Sequence, residues 1–394
     1  MTEPTPPIEL LGTDARFPGA VSLPEGFAAR LVAACECRTD DHSTAEASRD
    51  WWPMALHWAL AGEVPQRAAI VARPTDTAQV AAVLALCNEA GVPVTTAGGR
   101  SGVVGGSVPL FGGVVLDTTD LQGVLSVDAV SGLVEVWAGT FGPDLEAELR
   151  GAHGLTVGHF PQSFDIATVG GWVACRGAGQ YSTRYGKIEQ MVAGLEVVLA
   201  DGSVVRTGGS PAAAQGPDLT QLFVGSEGTL GVVTKVLLRA HPLPAAERRA
   251  AYSFATFEAG IEACRRIIRR GATPAVLRLY DAIETQRGQG GDGSNCALLV
   301  LDEGDPALVD AAMSIVAQEC SEAAPLPVAL VEQWMHHRND TSALQGLTRK
   351  GFVVDTLEIA APWAALPGIF GAATAALMAV PHARVASCHL SHSY

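Results

Sequence analysis

Apolar and polar positions alternate along this chain in two different rhythms. AAIVARP (68–74) reads as a buried strand closed by Pro74. Thr75 is placed to cap a helix, and Val80, Val83, Leu84 and Cys87 follow at i, i+3, i+4 and i+7 on one helical face. Gly91 stands where a helix ends in a left-handed turn, and VPVTT (92–96) is the next strand. That strand runs directly into AGGRSGVVGGS (97–107), so a β-α-β unit delivers a glycine-rich loop to a strand end. Strands are expected at 112–117 and 133–139, and a short helix at 141–154. GLEVVLADGSVVRT (194–207) reads as two strands joined at Asp201-Gly202, a strong hairpin signal. A strand at 230–242 ends at Pro242.

The rhythm changes near residue 245, where Pro242, Pro244 and the charged AERR intervene. Strands are then expected at 250–255, 275–281, 296–302, 352–360 and 384–390, with helices at 256–270, 306–321 and 364–379. The pattern predicts an α+β protein. An N-terminal extension (1–62), whose WWPMALHWAL (51–60) reads as a helix, precedes a first domain (63–245) and a second (246–394). The chain reaches Tyr394 four residues after its last expected strand, so the second domain is expected to be incomplete.

Composition narrows the function. Of 394 residues 48% are hydrophobic and 17% charged, enough to bury a large core. The net charge of −15 argues against a nucleic-acid partner, whose phosphates need a basic surface. The mean hydropathy of +0.23 comes from Ala and Val, with no run long enough for a transmembrane helix. MTEPTPPIEL has neither the basic start nor the apolar stretch of a signal peptide, and the 8 Cys form no CxxC. A reduced, cytoplasmic protein with a small-molecule substrate is expected. A homodimer stays open.

Four segments concentrate glycine: 97–107, 158–172 (GHFPQSFDIATVGGW), 176–179 (RGAG) and 225–231 (GSEGTLG). Glycine lets backbone N–H groups approach an anion closely, and a row of them makes a nest for a diphosphate. One such segment is an ordinary turn. Four within about 135 residues suggest one extended dinucleotide gripped along its length.

These segments resemble the FAD-binding domain of the vanillyl-alcohol oxidase / p-cresol methylhydroxylase (PCMH) superfamily. The resemblance rests on VTTAGGRSGVVGGS, on HFPQSFDIATVGGWVACRGAG with its Thr168–Gly171 core, and on GSEGTLGVVTKVLLRAHP. DWWPMAL, LRLYD, DTLEIAAPW and CHLSHSY extend it toward alkyldihydroxyacetonephosphate synthase and bacterial FAD-linked oxidases. The resemblance implies a two-subdomain PCMH-type domain followed by a substrate cap. In the synthase branch the chain continues beyond the point matched by Tyr394, which is why the cap reads as incomplete.

Carried over position by position, the FAD contacts would fall on Gly98, Gly99, Arg100, Ser101, Gly102, Val103 and Val104. They would continue on Gln162, Ser163, Thr168, Gly170, Gly171, Ala174, Cys175, Arg176 and Gly177, and on Glu227, Gly228, Thr229, Gly231, Val232 and Val233. Gln162-Ser163 and Ala174-Cys175 depart from the family's Asp-Ser and Ser-Thr, changes that backbone contacts survive. No His stands in 97–107, where some members attach the flavin, so FAD is expected to be non-covalent.

Substrate chemistry needs a cation for an anionic end and a base for a hydroxyl proton. Arg278 alternates with Leu277 and Leu279 on a strand and resembles an Arg that meets the substrate's anionic end in the synthase. His389 and His392 suit a base. Tyr394 matches a family Tyr thought to act in catalysis. His336 and His337 read as a helix end, and no metal is expected, since no acidic residue adjoins His389 and His392 in the sequence. The expected function is an FAD-dependent oxidoreductase of a small hydroxylated, anionic substrate. A synthase-like transferase using FAD without net redox change and an inactive flavin-binding remnant are the alternatives.

Overall fold

The computed structural model describes residues 7–394. Three sheets carry the architecture. The first is built from β1 (Glu36–Arg38), β2 (Ile70–Arg73), β3 (Val94–Ala97) and β4 (Val114–Asp117), in the order β1-β2-β4-β3. β4 lies parallel to both β2 and β3, as the β-α-β reading requires, and β1 closes the edge antiparallel to β2. The residues before 63 therefore take part in this sheet. They also supply α1 (Phe27–Ala34), whose Phe27 and Leu31 are buried against it. α2 (Thr77–Ala90) buries the four residues expected on its inner face. Its cap is Asp76 rather than Thr75: the Asp76 carboxylate accepts the Gln79 N–H at 2.8 Å, and Gly91 closes the helix with φ 65°.

The second sheet is antiparallel. It comprises β5 (Val124–Asp128), β6 (Leu133–Trp137), β7 (Val192–Val198), β8 (Val204–Gly208) and β9 (Val232–Arg239), in the order β8-β7-β9-β6-β5. β7 and β8 form the hairpin expected at Asp201-Gly202, with Gly202 at φ 84°. The short helices α3 (Val169–Ala174) and α4 (Ser182–Tyr185) pack nearby, and Val169, Trp172 and Val173 join the largest core cluster.

The third sheet comprises β10 (Ala246–Phe254), β11 (Val276–Tyr280), β12 (Cys296–Gly304), β13 (Ala324–Leu326) and β14 (His389–Leu390), in the order β13-β10-β12-β11-β14. α5 (Phe257–Arg269) and α6 (Pro306–Glu319) pack beside it. α7 (Ala329–His337) lies against β10 and β12 and buries Val331 and Trp334. Two expected strands differ. Residues 352–360 form none: Phe352, Val353, Leu357 and Ile359 stay exposed, so the alternating pattern finds no sheet edge to complete it. Of 384–390, only His389 and Leu390 pair, with Tyr280 and Leu279. No helix among the described residues is long and apolar enough to cross a membrane.

Candidate functional site

The four glycine segments converge. The 97–107 loop leaves the end of β3, and its Gly98 and Gly99 lie hard against the 158–172 segment. A Cβ on Gly98 would stand 2.3 Å from Thr168 Oγ1, and one on Gly99 2.0 Å from the Ile166 carbonyl oxygen. Only glycine permits that approach. The fourth segment hydrogen-bonds to the residues just before the third: Gly225 N–H donates to Val173 O at 2.9 Å and Glu227 N–H to Ala174 O at 3.0 Å. Gly228 packs on Thr96 at the end of β3, and the Glu227 carboxylate reaches Gly106. Val103, Val104, Cys175, Arg176, Glu227 and Thr229 are exposed on these loops, and a groove opens beside Gly99, Arg100 and Ile166, lined also by Asp50, Asp144 and Asp165.

The backbone is strained at this convergence. Among the described residues, five non-glycine residues have positive φ, and three of them are Arg100 (53°), Arg176 (54°) and Glu227 (47°), in the first, third and fourth segments. Thr168 caps α3 through its Oγ1, which accepts the Gly171 N–H at 3.3 Å, so the helix N-terminus faces Gly98. Ion pairs hold the flanking cations: Arg100 with Asp117 at 3.1 Å and Arg176 with Glu189 at 3.3 Å.

Several polar atoms in and beside these segments are buried without a hydrogen-bond partner among the described residues: Asp50 Oδ2, Glu189 Oε2 and Trp172 Nε1. Closely packed glycines and backbone at positive φ fit an extended ligand with a diphosphate at its centre, held by backbone N–H groups.

A second cluster abuts the third segment. Arg278, half-buried on β11, donates Nε–H to the Tyr280 hydroxyl at 2.7 Å and Nη2–H to His389 Nε2 at 2.8 Å. His389 Nδ1 lies 3.0 Å from the Glu284 carboxylate. That carboxylate fixes the tautomer: Nδ1 carries the proton, and Nε2 accepts from Arg278. Arg278 makes no ion pair among the described residues; its charge rests against the rings of Tyr280 (5.2 Å) and Trp334 (5.9 Å).

His392 Nδ1 lies 2.9 Å from Ser182 Oγ, and the Tyr394 hydroxyl donates to the same Ser182 Oγ at 2.7 Å. A hydrogen-bonded chain thus runs from Tyr394 through Ser182 to His392. Burial, with the charges of Arg278, Lys187 and His389, holds His392 down to about 4. His159 is fully buried beside it with neither ring nitrogen hydrogen-bonded among the described residues, and burial holds it down to about 3.

All four catalytic candidates read from the sequence thus lie in one region, in two linked sets: Arg278 with His389, and His392 with Tyr394. His336 and His337 are exposed at the end of α7. Sequence reasoning passed over Ser182, Glu284, Asp50 and Arg338. Arg338 donates to Gln180 Oε1 at 3.0 Å and sits within 5.1 to 5.7 Å of the Tyr181, Phe160 and Trp334 rings. Ser182 had a signal, since it lies just past the third glycine segment, and Asp50 opens the DWWPMAL stretch; Glu284 and Arg338 sit in a helix and at a helix end without a motif of their own. Among the described residues no group of three or more His, Cys, Asp or Glu could hold a metal ion.

This fold is that of a flavin-nucleotide-binding protein. The family model described as an FAD binding domain matches residues 68–208, and that of the FAD linked oxidases, C-terminal domain, matches 243–394. The chain belongs to the FAD-linked oxidoreductase family, and FAD is its cofactor. It is 32% identical over 346 residues to the uncharacterized FAD-linked oxidoreductase YgcU of Escherichia coli O157:H7, a match covering 83% of this chain and 70% of that one. Among solved structures, an alkyldihydroxyacetonephosphate synthase aligns with a TM-score of 0.84 and 25% identity, over 100% of this chain and 82% of the other. A p-cresol methylhydroxylase aligns with a TM-score of 0.65 and 18% identity, over 84% and 70%, and shares the fold. The PCMH-type fold and the family resemblance read from the glycine segments are borne out.

Proposed function

We propose that this chain is an FAD-dependent oxidoreductase acting on a small hydroxylated substrate with an anionic end. Residues 63–245 hold the cofactor without a covalent bond, through the 98–104, 162–177 and 227–233 contacts, and residues 246–394 form the cap. When bound, FAD supplies a hydride acceptor.

The observation that carries this reading is Arg278. It is a half-buried guanidinium with no carboxylate partner among the described residues, bonded instead to a neutral imidazole 2.8 Å away. An incoming carboxylate or phosphate outcompetes that imidazole for the guanidinium, because a charge-assisted bond is the stronger one. Its arrival frees His389 Nε2 to take the substrate's hydroxyl proton, and Glu284 stabilises the imidazolium that results. Binding the anion and arming the base are then one event. The Tyr394–Ser182–His392 chain offers a second proton path.

Anaerobic mixing of the holoprotein with a panel of 2-hydroxy acids tests this. Flavin bleaching by at least one member, inhibited by oxalate, is the expected result. No bleaching across the panel would sink it.

The likeness to the synthase structure along the whole chain favours one second reading: alkyl-for-acyl exchange on an acyl-dihydroxyacetone phosphate, with no net redox change. It predicts an alkyl product from a fatty alcohol while the flavin spectrum stays oxidised.

A further inference from the structure

Asp50 lies outside the four glycine segments, in the turn before the 53–60 helix, yet its side chain serves the first of them. It is 4% exposed. Its Oδ1 accepts the Trp52 N–H at 3.0 Å, which tightens the turn. That turn is fastened to the 97–107 loop by the Trp51 N–H, which donates to Gly102 O at 2.9 Å. The Trp52 ring lies 3.4 Å from the Cβ position of Gly105, and Asp50 Oδ2 lies 3.8 Å from that of Gly102. The Gly105 and Ser107 amides face the carboxylate and favour its ionised form, but Oδ2 has no hydrogen-bond partner among the described residues.

We propose that Asp50 is the positioning residue of the diphosphate loop: its ionised carboxylate fixes the 102–107 turn so that the remaining loop amides point into the groove. The inference rests on the cofactor assignment and goes beyond it, since it concerns what Asp50 does to the loop.

Two effects of the charge oppose each other. A carboxylate near a diphosphate repels it, whereas a carboxylate that organises the amides around that diphosphate favours it. The geometry supports the second, because the carboxylate faces the Gly105 and Ser107 amides of the loop. The other charged groups near Asp50 are largely committed: Arg49 to Glu46 and the Ile8 carbonyl, and Arg100 to Asp117. Asp144 and Asp165 line the same cleft, of about 480 Å³, and Glu227 approaches the loop at Gly106. Burial lifts Asp50 to about 6, so the carboxylate gains a proton in mildly acidic solution.

The test is the FAD dissociation constant of the refolded or flavin-stripped full chain, read by flavin fluorescence at pH 7.5 and pH 5.0. Wild type should lose about fivefold affinity between the two, as a group at about 6 in the free protein and about one unit lower with FAD bound requires. Asp50→Asn should bind about tenfold more weakly at pH 7.5 and show no further loss at pH 5.0. Apoprotein melting, recorded in parallel, should differ little between the two. An Asn variant that binds FAD as well as or better than wild type would show that repulsion dominates and overturn the proposal. So would a loss at pH 5.0 that persists in the variant. Should the variant not fold, a wild-type affinity unchanged between the two pH values overturns the proposal by itself. Wild type that binds no FAD at pH 7.5 overturns the cofactor assignment along with it.

Discussion

Arg278→Gln separates binding of the substrate's anion from the chemistry. In the resting protein the Arg278 guanidinium donates to Tyr280 and His389 at 2.7 and 2.8 Å and has no anionic partner among the described residues. Its charge is therefore available to a ligand. A hydrogen bond between charged partners contributes about 1.5 to 3 kcal/mol. At 1.4 kcal/mol per factor of ten, glutamine should weaken substrate binding by about 10- to 150-fold. Lysine restores the charge but not the planar fork that reaches Tyr280 and the ligand together, so Arg278→Lys should fall between the two. Stopped-flow reduction of the bound flavin under anaerobic conditions gives both quantities. Half-saturation reports binding, and the limiting rate reports the chemical step. The expected signature is a large rise in half-saturation with a smaller fall in limiting rate. A Gln variant that keeps its flavin and half-saturates within threefold of wild type would refute the assignment of Arg278 to the anion.

Other outcomes follow from the same geometry. Gly99→Ala places a methyl group 2.0 Å from the Ile166 carbonyl oxygen, a backbone atom that cannot step aside alone. It should cost about 1 to 3 kcal/mol of stability and weaken FAD binding, read by melting and flavin fluorescence, and wild-type values in both would contradict the packing of these two segments. His392, held down to about 4, binds a proton less readily in the folded chain than in the unfolded one. Its stabilisation is full above about pH 6.5 and lost as pH falls toward 4, on the order of 3 kcal/mol in all. Urea denaturation between pH 7 and 4 should be shallower in His392→Gln, and an unchanged slope would place the pH dependence elsewhere.

The parallel core and the groove were legible because glycine and periodicity are local signals. Val80, Val83, Leu84 and Cys87 announced the inner face of α2, and each glycine segment announced a close backbone approach. What stayed hidden was set by tertiary neighbours. Asp76 wins the helix cap over Thr75 because its carboxylate reaches the Gln79 N–H, a choice between two good capping residues that adjacency alone does not decide. The apolar alternation of 352–360 reads as a strand, but a strand needs an edge to pair with, and the sequence does not reveal which edges are free. Glu284 carries no motif, and the DWWPMAL stretch that Asp50 opens does not say what its carboxylate meets. One orients an imidazole 105 residues away, and the other braces a loop some 50 residues downstream.

The pairing of Ser182 with His392 and Tyr394 spans more than 200 residues. The 389–394 segment is also held by the two-residue strand β14, by bonds of Arg278 and Glu284 to His389, by a bond from the Ser393 N–H to Thr183 Oγ1, and by a bond from Trp363 Nε1–H to the Tyr394 carbonyl. Contacts so remote in sequence close late in folding, and an attachment this short opens at little cost in free energy. The 389–394 segment can therefore detach as a unit while the glycine segments stay in place. Amide exchange across 389–394 should run far ahead of exchange in β7 and β9, and a ligand that engages Arg278 and His389 together should slow it.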